Sequence, residues 1–379
     1  MSRALPYVPV EELKGRPHVL VDGAARPGSV LTLSHWPQSP TPPALARDLS
    51  AQIVFAFLHA TRGEVAPGDG APGRGGRGRS GGVGIRSAIA AVSRAEAVTN
   101  DHFDEDGVVS VFSMAEPDVA LRHEGLLVEV ASCGDFGVVR SRQAARIAFA
   151  VGPIGEQAVE ASEPGSVGER PGSWSGPRYR AVLERAVELI EHTEHFRRYW
   201  EQEDAVLAAS LDDLRAGLVR IDEVPEVDLA VVTRLAGAVP TPGSAAATGR
   251  LGAVALHEVA LHSATPASRI LAFHEGRCEL YLRYEGWVRY VSRQVPRRPD
   301  LAPLAEQLSA AEPSGVRWAA DGVGSLVTRM RPEPDGETDL DPAMICGVVV
   351  AYLKSAPPAW DPFRRDGALV PTGERRPPR

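Results

Sequence analysis

The sequence predicts an α/β fold: a mostly parallel sheet flanked by helices, followed by a smaller, strand-rich α/β domain towards the C-terminus. Three observations predict it. Short apolar runs bounded by Gly and Pro lie at 18–22, 30–34 and 97–99. Segments with helical spacing of apolar residues separate or follow them. Beyond residue 250 the pattern changes to closely spaced strands joined by a turn. Buried strands alternating with helices imply parallel strands covered on both faces.

The elements follow in order. His18-Val19-Leu20-Val21-Asp22 stops at Gly23, and Val30-Leu31-Thr32-Leu33-Ser34 precedes His35-Trp36-Pro37; both read as buried strands. From Leu45 to Ala60 apolar residues recur at Leu45, Leu49, Ile53, Val54, Phe57 and Leu58, after Pro42-Pro43, which predicts a helix. Residues 63–84 are dominated by Gly and Arg and predict a flexible insert, either solvated or touching an anionic partner. Ala97-Val98-Thr99 reads as a third strand, and Val108 to Met114, Leu126 to Val130 and Ala144 to Val151 as helices. One amphipathic helix is expected through Val182, Ala186, Leu189, Ile190 and Phe196, and another over roughly 201–218. Asp228 to Val232 reads as a strand. Arg269 to Phe273 and Cys278 to Leu282 read as a hairpin, Trp287 to Val291 as a further strand, and Leu301 to Leu308 as a helix.

At 379 residues, two domains are the natural expectation. The boundaries read as an N-terminal α/β domain over 1–160, a Pro/Gly/Ser-rich linker over 161–178 and connecting helices over 179–225. A C-terminal α/β domain follows over 226–360, then a frayed Pro/Arg-rich tail over 361–379. Hydrophobic residues make up 44% of the chain, enough for a sizeable core. No apolar stretch approaches the ~20 residues needed to span a bilayer, and no signal-peptide core follows Met1, so a cytoplasmic protein with no membrane partner is expected. Cys133, Cys278 and Cys346 are scattered, which disfavours a disulfide framework or a zinc knuckle. The net charge of −8 disfavours a dedicated nucleic-acid binder.

The densest chemistry lies in Asn100-Asp101-His102-Phe103-Asp104-Glu105-Asp106-Gly107, where four carboxylates and one imidazole fall within six residues. Crowded carboxylates repel and raise one another's pKa, a conflict that a divalent cation removes. The cluster follows a predicted strand and precedes a predicted helix, where α/β sheets gather their catalytic groups. Asp101, Asp104 and Asp106 are therefore metal-ligand candidates, with His102 as a catalytic candidate and Mn²⁺ or Mg²⁺ as the cofactor. The alternative is a solvated acidic turn in which Asp104 or Asp106 caps the helix.

This strand–DHFDEDG–helix passage resembles the Asp-x-Asp-Gly motif of the DHH phosphoesterase superfamily, two-domain enzymes that use manganese or magnesium. The resemblance implies that Asp104 and Asp106 are metal ligands with His102 near them. Leu31-Thr32-Leu33-Ser34-His35-Trp36-Pro37 resembles the superfamily's opening strand and its His. The chain as a whole resembles an uncharacterised family of actinobacterial proteins. It contains no Asp-His-His tripeptide and no GGGH motif.

His35 is a second catalytic candidate, at the same predicted sheet edge, and Asp22, which ends the preceding strand, is a functional candidate with no role assigned. Asp135, in Ser132-Cys133-Gly134-Asp135-Phe136-Gly137, is expected in a tight glycine-flanked turn and is a further metal-ligand candidate. Arg283 and Arg289 lie in a polar, aromatic run; strands could present them to a substrate phosphate, or they belong to a salt-bridged sheet surface. His257 and His262 are five residues apart, which does not fit the HExxH zinc motif. No nucleophile elbow, Walker loop or dinucleotide fingerprint is present.

These readings combine into a metal-dependent phosphoesterase-like hydrolase acting on a small phosphorylated substrate or short oligonucleotide in an interdomain cleft. A non-catalytic ligand-binding or regulatory protein on a degenerate phosphoesterase fold is the alternative, and the missing motifs favour it. A structural subunit of a larger assembly is a third possibility.

Overall fold

The computed structural model describes residues 3–64, 79–162, 175–235, 254–364 and residue 369. The chain divides into two compact units. Unit 1 comprises Met1–Asp204 with Tyr290–Ser292, and unit 2 comprises Ala205–Arg289 with Arg293–Arg379.

Unit 1 opens with β1 (His18–Val21) and β2 (Ser29–Leu33), followed by α1 (Ser50–Arg62), α2 (Arg79–Val92) and β3 (Ala97–Thr99). Helices then dominate: α3 (Glu105–Ala115), α4 (Pro117–Arg122), α5 (Glu124–Phe136), α6 (Arg142–Ser162), α7 (Ser175–Leu183), α8 (Ala186–Glu191) and α9 (Arg197–Arg215), which crosses the unit boundary. The sheet order is β2-β1-β3 with both pairs parallel. β1 is the central strand, and Val19, Leu20 and Val21 have no exposed surface. Burial of this kind stabilises by about 1.5–3 kcal/mol per side chain. Parallel pairing places the carboxyl ends of the strands at one edge, so Asp22, His35 and Asn100–Asp106 leave the sheet side by side.

Local chemistry sets the ends of these helices. Gly63 (φ 71°) and Gly137 (φ 62°) close α1 and α5 in the left-handed conformation that glycine adopts without strain. Asp104 caps α3 by accepting from the Gly107 N–H at 2.8 Å. Leu49 offers α1 no side-chain cap. Asp106 of α3 supplies one instead, accepting from the Ser50 and Ala51 N–H groups at 2.8 and 2.7 Å.

Unit 2 contains β4 (Val219–Val224), β5 (Leu229–Arg234), α10 (Glu258–Ala264), β6 (Arg269–His274), β7 (Arg277–Leu282) and β8 (Arg298–Pro299). It continues with α11 (Ala302–Ala311), β9 (Arg317–Ala320), β10 (Thr328–Glu333), α12 (Pro342–Ser355) and β11 (Pro358–Trp360). A six-stranded sheet has the order β4-β5-β6-β7-β10-β9, in which β5 and β6 alone are parallel, and β11 pairs with β8. Side chains alternate across it as a pleat requires. Leu271, Leu280 and Met330 pack with Leu304, Leu308, Ile345 and Val349 on one face. Ile270, Ala272 and Tyr281 pack with Leu256 and Leu261 on the other.

The α/β class is as expected: parallel strands with helices in unit 1, and a strand-rich C-terminal unit. The β6–β7 hairpin forms with Glu275 (φ 46°) and Gly276 (φ 80°) as its two central residues. Three expectations need correction. Trp287–Val291 is not a strand; a 3-10 turn over Tyr284–Gly286 leads into Trp287. The helix expected through Phe196 is broken into α7, α8 and a 3-10 turn over Thr193–Phe196. Asp135 does not sit in a glycine turn. It lies in the last turn of α5, and of its two flanking glycines Gly137 adopts positive φ.

Residues 65–78 of the expected insert and 163–174 of the expected linker lie outside the described residues, as do most residues after 364. No helix among the described residues is long and apolar enough to cross a membrane.

Candidate functional site

The centre of the site is Asp22, the residue that follows β1. Its backbone sits at φ 45°, a left-handed conformation that Asp tolerates better than bulkier residues do. The turn is fastened from both sides. The Asp22 N–H extends the strand ladder to the Leu33 carbonyl at 3.0 Å, and the Asn100 amide donates to the Asp22 carbonyl at 3.1 Å. The Ser50 hydroxyl donates to Asp22 Oδ1 at 2.8 Å. Asp22 is 1% exposed, so its carboxylate projects into the protein between two histidines.

On one side stands His35, 1% exposed. Its Nδ1 meets the Asp48 carbonyl at 2.5 Å. A carbonyl accepts only, so Nδ1 carries the hydrogen and the Nε2 lone pair faces inward. Nε2 lies 3.5 Å from Asp22 Oδ1, 3.8 Å from Asp106 Oδ2 and 3.4 Å from Asp135 Oδ2. Burial lowers the His35 pKa more than Asp22 and Asp48 raise it, which keeps the ring neutral. Burial also pushes the Asp106 and Asp135 carboxyls well above the usual carboxylate range. Asp22 adds to this at Asp106, and Asp106 and Asp104 add to it at Asp135. Asp135 Oδ2 is buried without a hydrogen-bond partner among the described residues.

On the other side stands His102, more open, with 29% of its side chain exposed. Its Nε2 is 3.1 Å from Asp22 Oδ2 and 2.8 Å from Asp104 Oδ2, and its Nδ1 is 3.1 Å from Asp101 Oδ1. Burial disfavours the imidazolium, but Asp104, Asp101 and Asp22 outweigh it and raise the pKa. Burial likewise works to raise the Asp22 carboxyl, and the His102 contact more than offsets it. The backbone of the loop is held by Asn100, whose Oδ1 accepts from the His102 N–H at 2.7 Å. Trp36 lies beside the His102 ring, with centroids 5.0 Å apart.

Among the described residues, two sets of three side chains bring their ligand atoms within 4.8 Å of one another: Asp22, His35 and Asp106, and Asp22, His102 and Asp104. Either set could hold a metal ion, and Asp22 belongs to both.

Residues 3–364 match a family described as a family of unknown function (DUF6687). The chain belongs to this family. No curated protein and no solved structure matches it. The geometry therefore carries the functional argument for this member of DUF6687.

The residues singled out in the sequence separate into three groups. His35, His102, Asp104, Asp106 and Asp135 converge around Asp22. Asp101 reaches His102 from behind and also accepts from Arg26 Nη2 at 2.8 Å and Nε at 3.2 Å, so its carboxylate supports the ring. Arg283 and Arg289 belong to unit 2. Arg283 is 2% exposed, pairs with Glu285 at 2.7 Å and donates to the carbonyls of Thr265 and Ala267. Its guanidinium thus fastens the loop before β6. Arg289 is half-buried.

The sequence singled out neither Ser50 nor, beyond its place at the head of the acidic run, Asn100. Both occupy the first position after a change of element, which is the one signal that could have marked them.

Proposed function

We propose that this chain is a divalent-metal-dependent phosphoesterase whose ligands are Asp22, His35, His102, Asp104, Asp106 and Asp135. The observation that carries this reading is the Asp22 carboxylate placed between two histidine–carboxylate sets at the carboxyl edge of a parallel sheet. The DHH-like passage in the sequence points the same way.

The donor set fits a hard divalent cation. Four carboxylates with two imidazoles suit Mn²⁺ or Mg²⁺. Asp106 and Asp135 are buried carboxyls crowded by other carboxyls, and an oxygen of Asp135 lacks a hydrogen bond among the described residues. A cation would satisfy that oxygen and relieve the crowding. The histidines are oriented as metal ligands usually are, with the outer nitrogen fixed by a second group: the Asp48 carbonyl for His35 and the Asp101 carboxylate for His102.

When bound, such ions supply an activated water and neutralise charge on a transferring phosphoryl group. The chain's own residues set the conditions. Ser50 and Asn100 fix Asp22. The N-terminus of α1 holds the Asp106 carboxylate in one rotamer through two N–H donors. Arg26 holds Asp101, and Asp101 holds the His102 ring. The His35 side is closed to water and the His102 side is open to it, so substrate approaches from His102, Asp104 and Trp36. A small phosphorylated substrate or a short oligonucleotide suits that opening.

Calorimetric titration of Mn²⁺ into wild type, Asp22→Asn and His35→Gln tests the reading, alongside hydrolysis of a generic phosphodiester. Wild type should bind and turn over, and both variants should lose at least about tenfold in affinity and activity. Tight binding that survives in both variants, or no binding by wild type, would sink the proposal.

A further inference from the structure

Two neighbouring residues of α7, Arg178 and Tyr179, carry hydrogen-bond donors beside the acidic loop that have no partner among the described residues. Arg178 makes no salt bridge and no hydrogen bond among the described residues, and its Nε is buried without a partner. Its guanidinium carbon lies 5.8 Å from the centre of the Phe103 ring. Phe103 is the residue between His102 and the Asp104 cap, so this cation stands over the loop itself.

Tyr179 has no exposed surface, and its hydroxyl also lacks a hydrogen-bond partner among the described residues. The ring is wedged between Tyr7 and Phe103, with centroids at 4.8 and 5.2 Å. Gly107 locates the hydroxyl. A Cβ on Gly107 would lie 2.5 Å from it, 2.5 Å from Asn100 Nδ2 and 3.0 Å from Asp104 Oδ1. The hydroxyl is therefore aimed at the first turn of α3, against two residues that shape the site.

A buried donor without a partner is unfavourable, and two in succession on one helix point to a ligand that completes them. The ligand must supply acceptors and must tolerate a guanidinium. A tetrahedral oxyanion does both, offering a planar pair of oxygens to Arg and a further oxygen to a hydroxyl. Arg26, also beside the loop, is held by Asp101.

We propose that α7 forms the phosphate-holding side of this site, Arg178 binding phosphoryl oxygens of the substrate and Tyr179 donating to another oxygen of the same group. The assignment rests on the phosphoesterase reading for its substrate, but its test does not depend on turnover. Phe103 sets the spacing, because its ring and the Arg178 stem both rest on Gly155 of α6: a Cβ there would lie 2.9 Å from Phe103 Cζ and 3.1 Å from Arg178 Cβ.

Inorganic phosphate is the probe, titrated into the full chain with and without Mn²⁺. The variants are Arg178→Met, which keeps the stem over Phe103, Arg178→Lys and Tyr179→Phe. Wild type should bind phosphate. Arg178→Met should weaken it by about tenfold or more, Arg178→Lys should recover part of the loss, and Tyr179→Phe should weaken it about threefold to tenfold. Mn²⁺ affinity should change less than phosphate affinity in all three, since none of them removes a metal-ligand atom. Tyr179→Phe should melt no lower than wild type, because it removes an unsatisfied donor. Phosphate binding that requires Arg178 in a chain that binds no Mn²⁺ would uphold the α7 assignment and defeat the hydrolase reading. Wild-type phosphate affinity retained by both Arg178→Met and Tyr179→Phe, or no phosphate binding by wild type under either condition, overturns the assignment.

Discussion

Asp135 shows how a single residue can be at odds with its own fold. Its carboxyl is buried beside Asp106 and Asp104, one oxygen lacks a hydrogen bond among the described residues, and its pKa is raised by burial and by those neighbours. For stability alone, a neutral side chain of the same shape would serve better. Asp135→Asn should therefore raise the melting temperature of the metal-free protein by a few degrees, about 1 kcal/mol. The same substitution should lower Mn²⁺ affinity by at least about tenfold. Opposite signs from one variant separate a ligand from a structural residue, and scanning calorimetry with and without Mn²⁺ reads both. A fall in metal-free stability would mark Asp135 as structural. At this scale the sequence revealed much. Asp104, Asp106, His102 and His35 stand out because carboxylates and imidazoles follow predicted strands. Asp101 shares that pattern yet turns back onto His102 and Arg26, a distinction that depends on rotamers. Arg178 sits among ordinary helix residues, and its lack of a partner among the described residues is visible only once neighbours are known.

Elements bring these groups together through close contacts at glycines. Gly107 lets the first turn of α3 approach Asn100 and Tyr179, and a methyl group there would meet both at 2.5 Å. Gly107→Ala should cost about 1–3 kcal/mol by overpacking. It should also weaken Mn²⁺ binding, because Asn100 positions both Asp22 and the His102 backbone; Gly125→Ala on α5, where nothing lies within 4 Å of the added carbon, is the control. Equal effects from the two substitutions would mean that helix chemistry, and not the contact, is at work. The three strands of unit 1 and the β6–β7 hairpin were legible, since buried strands and turns carry strong local signals. The failures are instructive. Trp287–Val291 alternates like a strand, yet Trp287 stacks between Tyr284 and Trp360 at 5.7 Å on each side, an aromatic packing that no period reveals. The turn predicted around Asp135 failed because Gly134 is tolerated inside α5, where a Cβ would lie 2.6 Å from Glu105 Cβ. The glycine there serves packing, while Gly137 alone ends the helix.

Across the molecule the site residues all belong to unit 1, and unit 2 carries separate apolar clusters on its own sheet. Metal-dependent stabilisation should be confined accordingly. At about a hundredfold excess over its dissociation constant, Mn²⁺ adds about 2.7 kcal/mol to the folded form that binds it. Hydrogen exchange should slow in β1, β2, β3 and the first turns of α1 and α3, and stay unchanged in β6, β7 and β10. Equal slowing in both sheets would contradict this assignment. The boundary between the two units is not legible in the sequence, because α9 runs through it without interruption and a continuous helix leaves no compositional trace.

Asp22 gives this arrangement one last property. A carboxylate has a single negative charge to share, and here it faces His35 through one oxygen and His102 through the other. Two guests lodged on either side would draw on the same electron density. The arrival of the first would change the welcome given to the second, and occupancy of the enclosed chamber would be reported at the open one. Thermodynamic reciprocity makes that influence equal in both directions. The site would then behave as one cooperative unit and not as two independent wells.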